Sequence, residues 1–426
     1  MNMFETLGKA WRIPDIRRKI LFTLLMLVIF RLGASIPVPG IDRTVLSQAF
    51  SGQGLFDLFN LFSGGAFKNF TIFALSITPY VTASIIINLL TIAIPYLEQL
   101  AKEGMEGRKK MTQITRYLTV ALALLQAVGF TFGFFRNAIT DNSVFTKIMI
   151  ILCLTAGTAF LMWLGEQINE YGVGNGISLI IFAGIICRAP GAIGSALVSY
   201  QAGDVSMIAL VLFCIFAVAV IVGVVMVQQG QRRIPVQYAK RVVGRKMYGG
   251  QNTHIPIKVN QAGVIPVIFG LSILQFPLTL TYFWPNSGLQ NWLNTWLSPT
   301  ATGTPGVWIY VGLDAILIFF FTYFYTAITF NPVDVAENMR ANGGFVPGIR
   351  PGRPTIEYLN TVMMRVTFVG AVFLAVIAAM PYLIQMATKL QISFGGTALL
   401  IVVGVALDTM KQIENQMVMR NYRGFL

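Results

Sequence analysis

The chain has 426 residues, of which 55% are hydrophobic and only 11% charged, with 31 basic side chains against 17 acidic ones. Soluble domains carry about 25% charged residues, and a mean hydropathy of +0.68 puts most of this chain in lipid. A cytosolic enzyme, a disordered chain and a secreted disulfide scaffold are excluded. The three cysteines (Cys153, Cys187, Cys214) lie in apolar runs with no metal or disulfide spacing and read as buried, inert thiols.

A bilayer core about 30 Å thick takes roughly 20 apolar residues as a helix. Ten stretches meet or approach that length: 20–38, 70–97, 117–136, 146–165, 176–200, 206–227, 261–283, 306–330, 362–387 and 394–410. The first has too long an apolar run for a signal peptide and no A-x-A site after it, so it is expected to stay in the mature protein. Alternate connections hold 23 and 3 Lys and Arg residues. Basic residues resist translocation, so the richer side is cytoplasmic and both termini lie inside. Much of the net charge of +14 is therefore topological, and nucleic-acid binding does not follow from it. The spans divide into halves, 1–200 and 201–426, of five each. An odd number inverts the second half relative to the first, although no residue-level repeat is visible.

In chain order, the first irregular segment is 55–62, an apolar run interrupted by Asp57 and Asn60 and ended by Gly64 and Gly65. At about 12 Å it is too short to cross. It is either a re-entrant half-helix inside the protein or an amphipathic helix on the outer leaflet. Pro79 predicts a kink within the second span. Ile77, Val81 and Asn88 share one helical face there, and Ile177 and Ile181 repeat the spacing in the fifth span. Such residues ordinarily serve packing or lipid contact. Asn88, Gln126 and Gln275 are uncharged polar groups suited to interhelical hydrogen bonds. Asp314 and Asp408 are read as lying near span ends, and this scarcity of buried carboxylates argues against an ion-coupled carrier.

The connection 228–260 carries seven bases and no acid. Ile234, Val236 and Tyr238 alternate with polar or small positions, as do Ile255, Ile257 and Val259, which predicts a hairpin turning at 248–252. Arg232, Arg233, Lys240, Arg241, Arg245 and Lys246 would project from it toward an anionic partner. The connection 331–361 predicts a short helix from Asn331-Pro332 to Asn342-Gly343-Gly344. A stiff turn presenting Arg350 follows, with Thr355 capping the next helix. No G-x-x-x-x-G-K-[ST] or H-E-x-x-H motif occurs, the glycines at 172–176 lack dinucleotide spacing, and His254 is the sole histidine. Bond chemistry has no candidate residues. A small-solute transporter would need a polar mid-membrane site, a membrane enzyme a nucleophile–base or metal set, and an assembly scaffold leaves the basic loops without a role.

Seven segments, in order along nearly the whole chain, resemble the SecY family of protein-secretion channels: FSGGA (62–66), PYVTASII (79–86), GNGIS (174–178), QGQRR (229–233), AGVIP (262–266), FVPGIRPG (345–352) and GGT (395–397). The resemblance implies an all-α polytopic membrane protein, with ten helices in two inverted halves around an hourglass pore. It implies a waist formed by Ile77, Val81, Ile177, Ile181, Ile268 and Ile401. A plug half-helix would comprise Leu55, Phe56, Leu58, Phe59, Leu61 and Phe62, ending at Gly64 and Gly65. A lateral gate would lie between spans 2, 3, 7 and 8, near Asn88, Gln126 and Gln275. Arg241, Arg245 and Arg350 match positions that contact the SecA motor ATPase or the ribosome. The implied protein conducts unfolded preprotein and nascent chains across the bacterial cytoplasmic membrane, admits signal sequences and releases transmembrane segments into lipid. SecE and SecG would be its small membrane partners. No cofactor, metal, catalytic residue or direct DNA contact is implied.

Overall fold

The computed structural model describes residues 8, 10–42, 63–134, 138–141, 143–201, 207–238, 241–243, 246–248, 253–280, 288–297, 305–388 and 396–423. The first half contains α1 (Pro14–Gly33), α2 (Thr78–Ala93), α3 (Pro95–Lys102), α4 (Met105–Gly129, extended by a π turn over Phe130–Phe134), α5 (Val144–Tyr171) and α6 (Gly176–Gln201). The second half opens with α7 (Met207–Gln229) and four strands, β1 (Gln231–Tyr238), β2 (Arg241–Val243), β3 (Lys246–Tyr248) and β4 (Thr253–Lys258). It continues with α8 (Ile265–Leu280), α9 (Gly288–Trp296), α10 (Pro305–Thr329), α11 (Pro332–Ala341), β5 (Gly344–Phe345), α12 (Arg353–Thr388) and α13 (Gly396–Arg423).

Each apolar stretch of the sequence overlaps a helix. Among the described residues, four helical segments are long and apolar enough to cross a membrane: Met105–Gly133, Val144–Tyr171, Gly306–Ala341 and Arg353–Tyr382. The pair α2–α3 also passes when taken together, bent by 99°. Large apolar side chains stand exposed along the helices, among them Leu25 on α1, Leu152 on α5, Ile215 on α7, Ile316 on α10 and Val369 on α12. An apolar exterior of this extent is stable against hydrocarbon and costly against water. Cys187 and Cys214 are exposed and Cys153 half-buried, so the expectation of three buried thiols fails.

The second span departs from its sequence pattern. Residues 63–77 form a strap of turns, and Pro79 sits in the first turn of α2. There its missing N–H costs nothing, because the first helical donors have no intrahelical partner, so Pro79 opens the helix and does not kink it. The strap is bound to the stretch after α1: Val38 N donates to Phe70 O at 3.0 Å, and Ile72 N donates to Ile36 O at 3.1 Å. Phe67 and Phe70 are buried with Phe130, Ile150 and Leu154. Phe73 stacks on Phe30 of α1 and on Phe160 of α5, with centroids 6.1 and 6.0 Å away.

On the polar side, β1 pairs antiparallel with β4 in the register Ile234↔Ile255. The hairpin's far end differs from expectation, since β2 pairs with β3 through Val243↔Lys246 and the glycines after Tyr248 lie between β3 and β4. A third strand is added from another connection. β5 pairs with β1 through Gln237↔Phe345, which makes the sheet order β4-β1-β5. Ile234, Val236, Ile257, Ala336, Met339, Val346 and Leu359 share one buried core, so the two basic connections form a single unit. Asn331 caps α11 as expected, accepting from Val333 N at 3.1 Å. Thr355 does not cap α12: it lies inside the helix, and its hydroxyl donates to Arg350 O at 2.9 Å, drawing the basic turn onto the helix start.

Asp314 also departs from expectation. It lies well inside α10, is 2% exposed, and its Oδ1 has no hydrogen-bond partner among the described residues. Asp408 is exposed on α13. A partly exposed ion pair joins α4 to α5, where Arg116 Nε meets Glu166 Oε1 at 2.7 Å.

Candidate constriction and gate

The turn 172–176 fixes where α6 begins. Asn175 accepts from the N–H groups of Ile177 (3.1 Å) and Ser178 (3.3 Å), capping the helix at its first turn. Three donors fasten the turn to other helices. Val173 N donates to Thr23 Oγ1 on α1 (3.0 Å), Gly174 N to Gln412 Oε1 on α13 (3.0 Å) and Gly176 N to Asn169 Oδ1 on α5 (2.7 Å). A Cβ on Gly176 would overlap the carbonyl oxygen of Gly165, so only glycine lets α6 start against α5. This polar knot sets the positions of Ile177 and, one turn later, Ile181.

The other participants come from separate elements. Ile77 ends the strap at the N-cap of α2, and Val81 lies one turn into that helix. Ile268 lies in the first turn of α8, and Ile401 in the second turn of α13. A Cβ on Gly404 would stand 2.6 Å from Val264 Cγ2, so the start of α8 lies directly against α13. All six side chains meet in one apolar cluster. Ile77, Ile181 and Ile401 are 2%, 5% and 1% exposed, and Val81, Ile177 and Ile268 pack against them half-buried. The cluster can exclude water and yield to an apolar or irregular surface, because its contacts are non-directional.

The seam between α2, α8 and α10 is apolar as well. Ile85, Phe269 and Phe321 are buried there, and the Phe269 and Phe321 rings meet edge to face at 5.6 Å. The sequence reading missed these two phenylalanines, because in a chain with 32 of them nothing in the spacing singles them out. Asn88 is half-buried on α2. Gln126 on α4 has a buried Oε1 with no partner among the described residues. The Gln275 side chain lies outside the described residues, as do Leu55, Phe56, Leu58, Phe59, Leu61, Phe62 and Arg245, and the side chain of Arg241. Gly64 and Gly65 are described, with φ of +64° and +92°. Arg350 is exposed on the turn between β5 and α12.

This is a polytopic helical membrane protein in which several helices meet in one apolar cluster, with a sheet built from its two basic connections. Its sequence matches the SecY family profile over residues 71–410. The chain belongs to the SecY family. Among similar proteins, "Protein translocase subunit SecY" of Mycobacterium tuberculosis is 48% identical over 446 residues, and that of Halalkalibacterium halodurans 49% over 435, each match covering 100% of both chains. Solved structures give the same fold. "The structure of a protein conducting channel" aligns at a TM-score of 0.66 and 21% identity, covering 94% of this chain and 93% of that one. "Sec61 in the Canine ribosome-channel complex from the endoplasmic reticulum" aligns at 0.62 and 20%, covering 94% and 93%.

Proposed function

We propose that the chain is a protein-conducting channel whose waist is the cluster of Ile77, Val81, Ile177, Ile181, Ile268 and Ile401. The observation that carries this reading is that α2, α6, α8 and α13 deliver these six aliphatic side chains to one water-poor cluster. A pore for arbitrary polypeptide cannot hold specific binding groups, since a passing chain must be released at every register. An apolar collar grips weakly, dewets when empty and seals around whatever passes. No bond chemistry is required, and the family is one of channels, not enzymes.

In this reading the ten stretches all cross the bacterial cytoplasmic membrane, in inverted halves 1–200 and 201–426, with both termini cytoplasmic. Residues 55–65 form the plug. The seam of α2 and α4 against α8 and α10 is the lateral gate, through which an apolar signal sequence partitions into lipid. Asn88, Gln126 and Gln275 border it. SecE and SecG are the small membrane partners. Arg241, Arg245 and Arg350 dock the SecA motor or the ribosome, which supply the energy; the ribosome-bound relatives support the latter.

Polar substitution at the waist tests the proposal. Ile401→Asn and Ile268→Asn place an amide among apolar neighbours at a cost of about 2 kcal/mol. They are expected to raise ion conductance in proteoliposomes and to let precursors with defective signal sequences through. Unchanged conductance together with unchanged selectivity in both variants would refute it.

A further inference from the structure

Arg31 stands in the last turn of α1, where a basic side chain favours the helix dipole without needing any distant partner. It nevertheless has one. Its Nη1 donates to the carbonyl oxygen of Gly64, 33 residues away, at 3.0 Å. Gly64 is held on its other side too: a Cβ there would come within 2.8 Å of Gly184 Cα, so the strap touches the backbone of α6 directly. With φ at +64° the position also suits glycine alone. Gly184 follows Ile181 by less than one turn on α6. The strap that starts at this point ends at Ile77, and both isoleucines are buried in the waist cluster.

Three features make the strap able to transmit position. Ser63 Oγ accepts from Phe67 N at 3.0 Å, closing the first turn. The Phe30–Phe73–Phe160 stack binds the strap to α1 and α5, and the two backbone hydrogen bonds to residues 36 and 38 fix its middle. Among these anchors, the Arg31–Gly64 bond is the one that ties the strap's start to α1 at the place where the strap also touches the helix carrying Ile177 and Ile181.

We propose that Arg31 is a positioning residue for the seal: by clamping Gly64 between α1 and α6, it sets how closely Ile77 and Ile181 meet. This rests on the channel reading above. Arg31 touches no passenger and acts only through the strap. Losing a hydrogen bond to a charged donor at a partly exposed site changes an equilibrium by about threefold to tenfold.

The test uses the complete translocon in proteoliposomes with Arg31→Ala and Arg31→Lys. Arg31→Ala is expected to raise ion leak and export of a precursor with a defective signal sequence by that factor, while a normal precursor is exported at the wild-type rate. Arg31→Lys, which reaches the carbonyl with one donor, is expected to restore most of the seal. Cysteine labelling of the N-terminal segment reports whether α1 keeps its orientation. A leak confined to misoriented molecules overturns the clamp, as does an Arg31→Ala channel that seals like wild type. Should Arg31→Ala accumulate poorly, Arg31→Gln keeps the stem but falls short of the carbonyl, and a tight Arg31→Gln channel overturns the clamp equally. Absence of signal-dependent export in the wild type would instead remove the channel reading itself.

Discussion

The six-residue apolar cluster and the three-stranded sheet are built from the same kinds of side chain and behave as opposites. In the cluster, Ile77, Ile181 and Ile401 come from separate elements and meet only through packing, and the hydrogen bonds that hold α6 in place lie in the turn before it. In the sheet, Ile234 and Ile257 are also buried, but β1 is hydrogen-bonded along both edges. Apolar contacts are non-directional and can be broken and remade as helices shift. A strand cannot slip by one residue without turning its apolar face outward. One region is compliant by construction and the other is fixed in register.

Three substitutions sharpen that contrast, in decreasing order of their effect on stability. Gly176→Val forces a side chain into the Gly165 carbonyl and, at 2.9 Å, the Ile168 Cβ. Because the obstacle is largely backbone, no rotamer relieves it, and a loss of about 3 kcal/mol is expected, read as a lowered Tm of the detergent-solubilised protein. Survival at wild-type Tm would mean that the knot at 172–176 does not fix α6. Leu359→Ala empties part of the sheet's core, where Leu359 is 0% exposed. It is expected to cost about 2 kcal/mol and to speed amide exchange in β1 and β4, with no rise in ion leak. A leak would show that the two regions are not mechanically separate. Arg350→Glu changes an exposed side chain and is expected to leave stability within about 0.5 kcal/mol of wild type. Motor-driven export should nevertheless fail, and normal ATP-dependent export would remove Arg350 from the docking surface.

Much of the helical layout was legible because apolar length is a one-dimensional property: each apolar stretch overlaps a helix, and the β1–β4 pairing follows from alternation. The Asn331 cap was legible for the same local reason. The strap was not, since Phe70 and Phe73 read like any span and the two backbone hydrogen bonds to residues 36 and 38 are tertiary contacts. β5 was invisible because a two-residue strand, Gly344–Phe345, exists only through its neighbour β1. Asp314 was misplaced because its burial depends on which way α10 faces. Of the apolar cluster, the i, i+4 pairs in the second and fifth spans could be seen, but not that they meet Ile268 and Ile401. That meeting is a tertiary fact.

The shared strand has a mechanical corollary. Below the sheet, Val259 N donates to Gly230 O at 2.9 Å, so the residue that follows α7 is bonded to the segment that leads into α8. A Cβ on Gly370 of α12 would overlap Val259 O, so the same point rests on a third helix. The Arg350 turn is therefore linked through β5 and β1 to the end of α7, to the segment leading into α8 and to the middle of α12. The sheet is thus a brace shared by two connections and three helices.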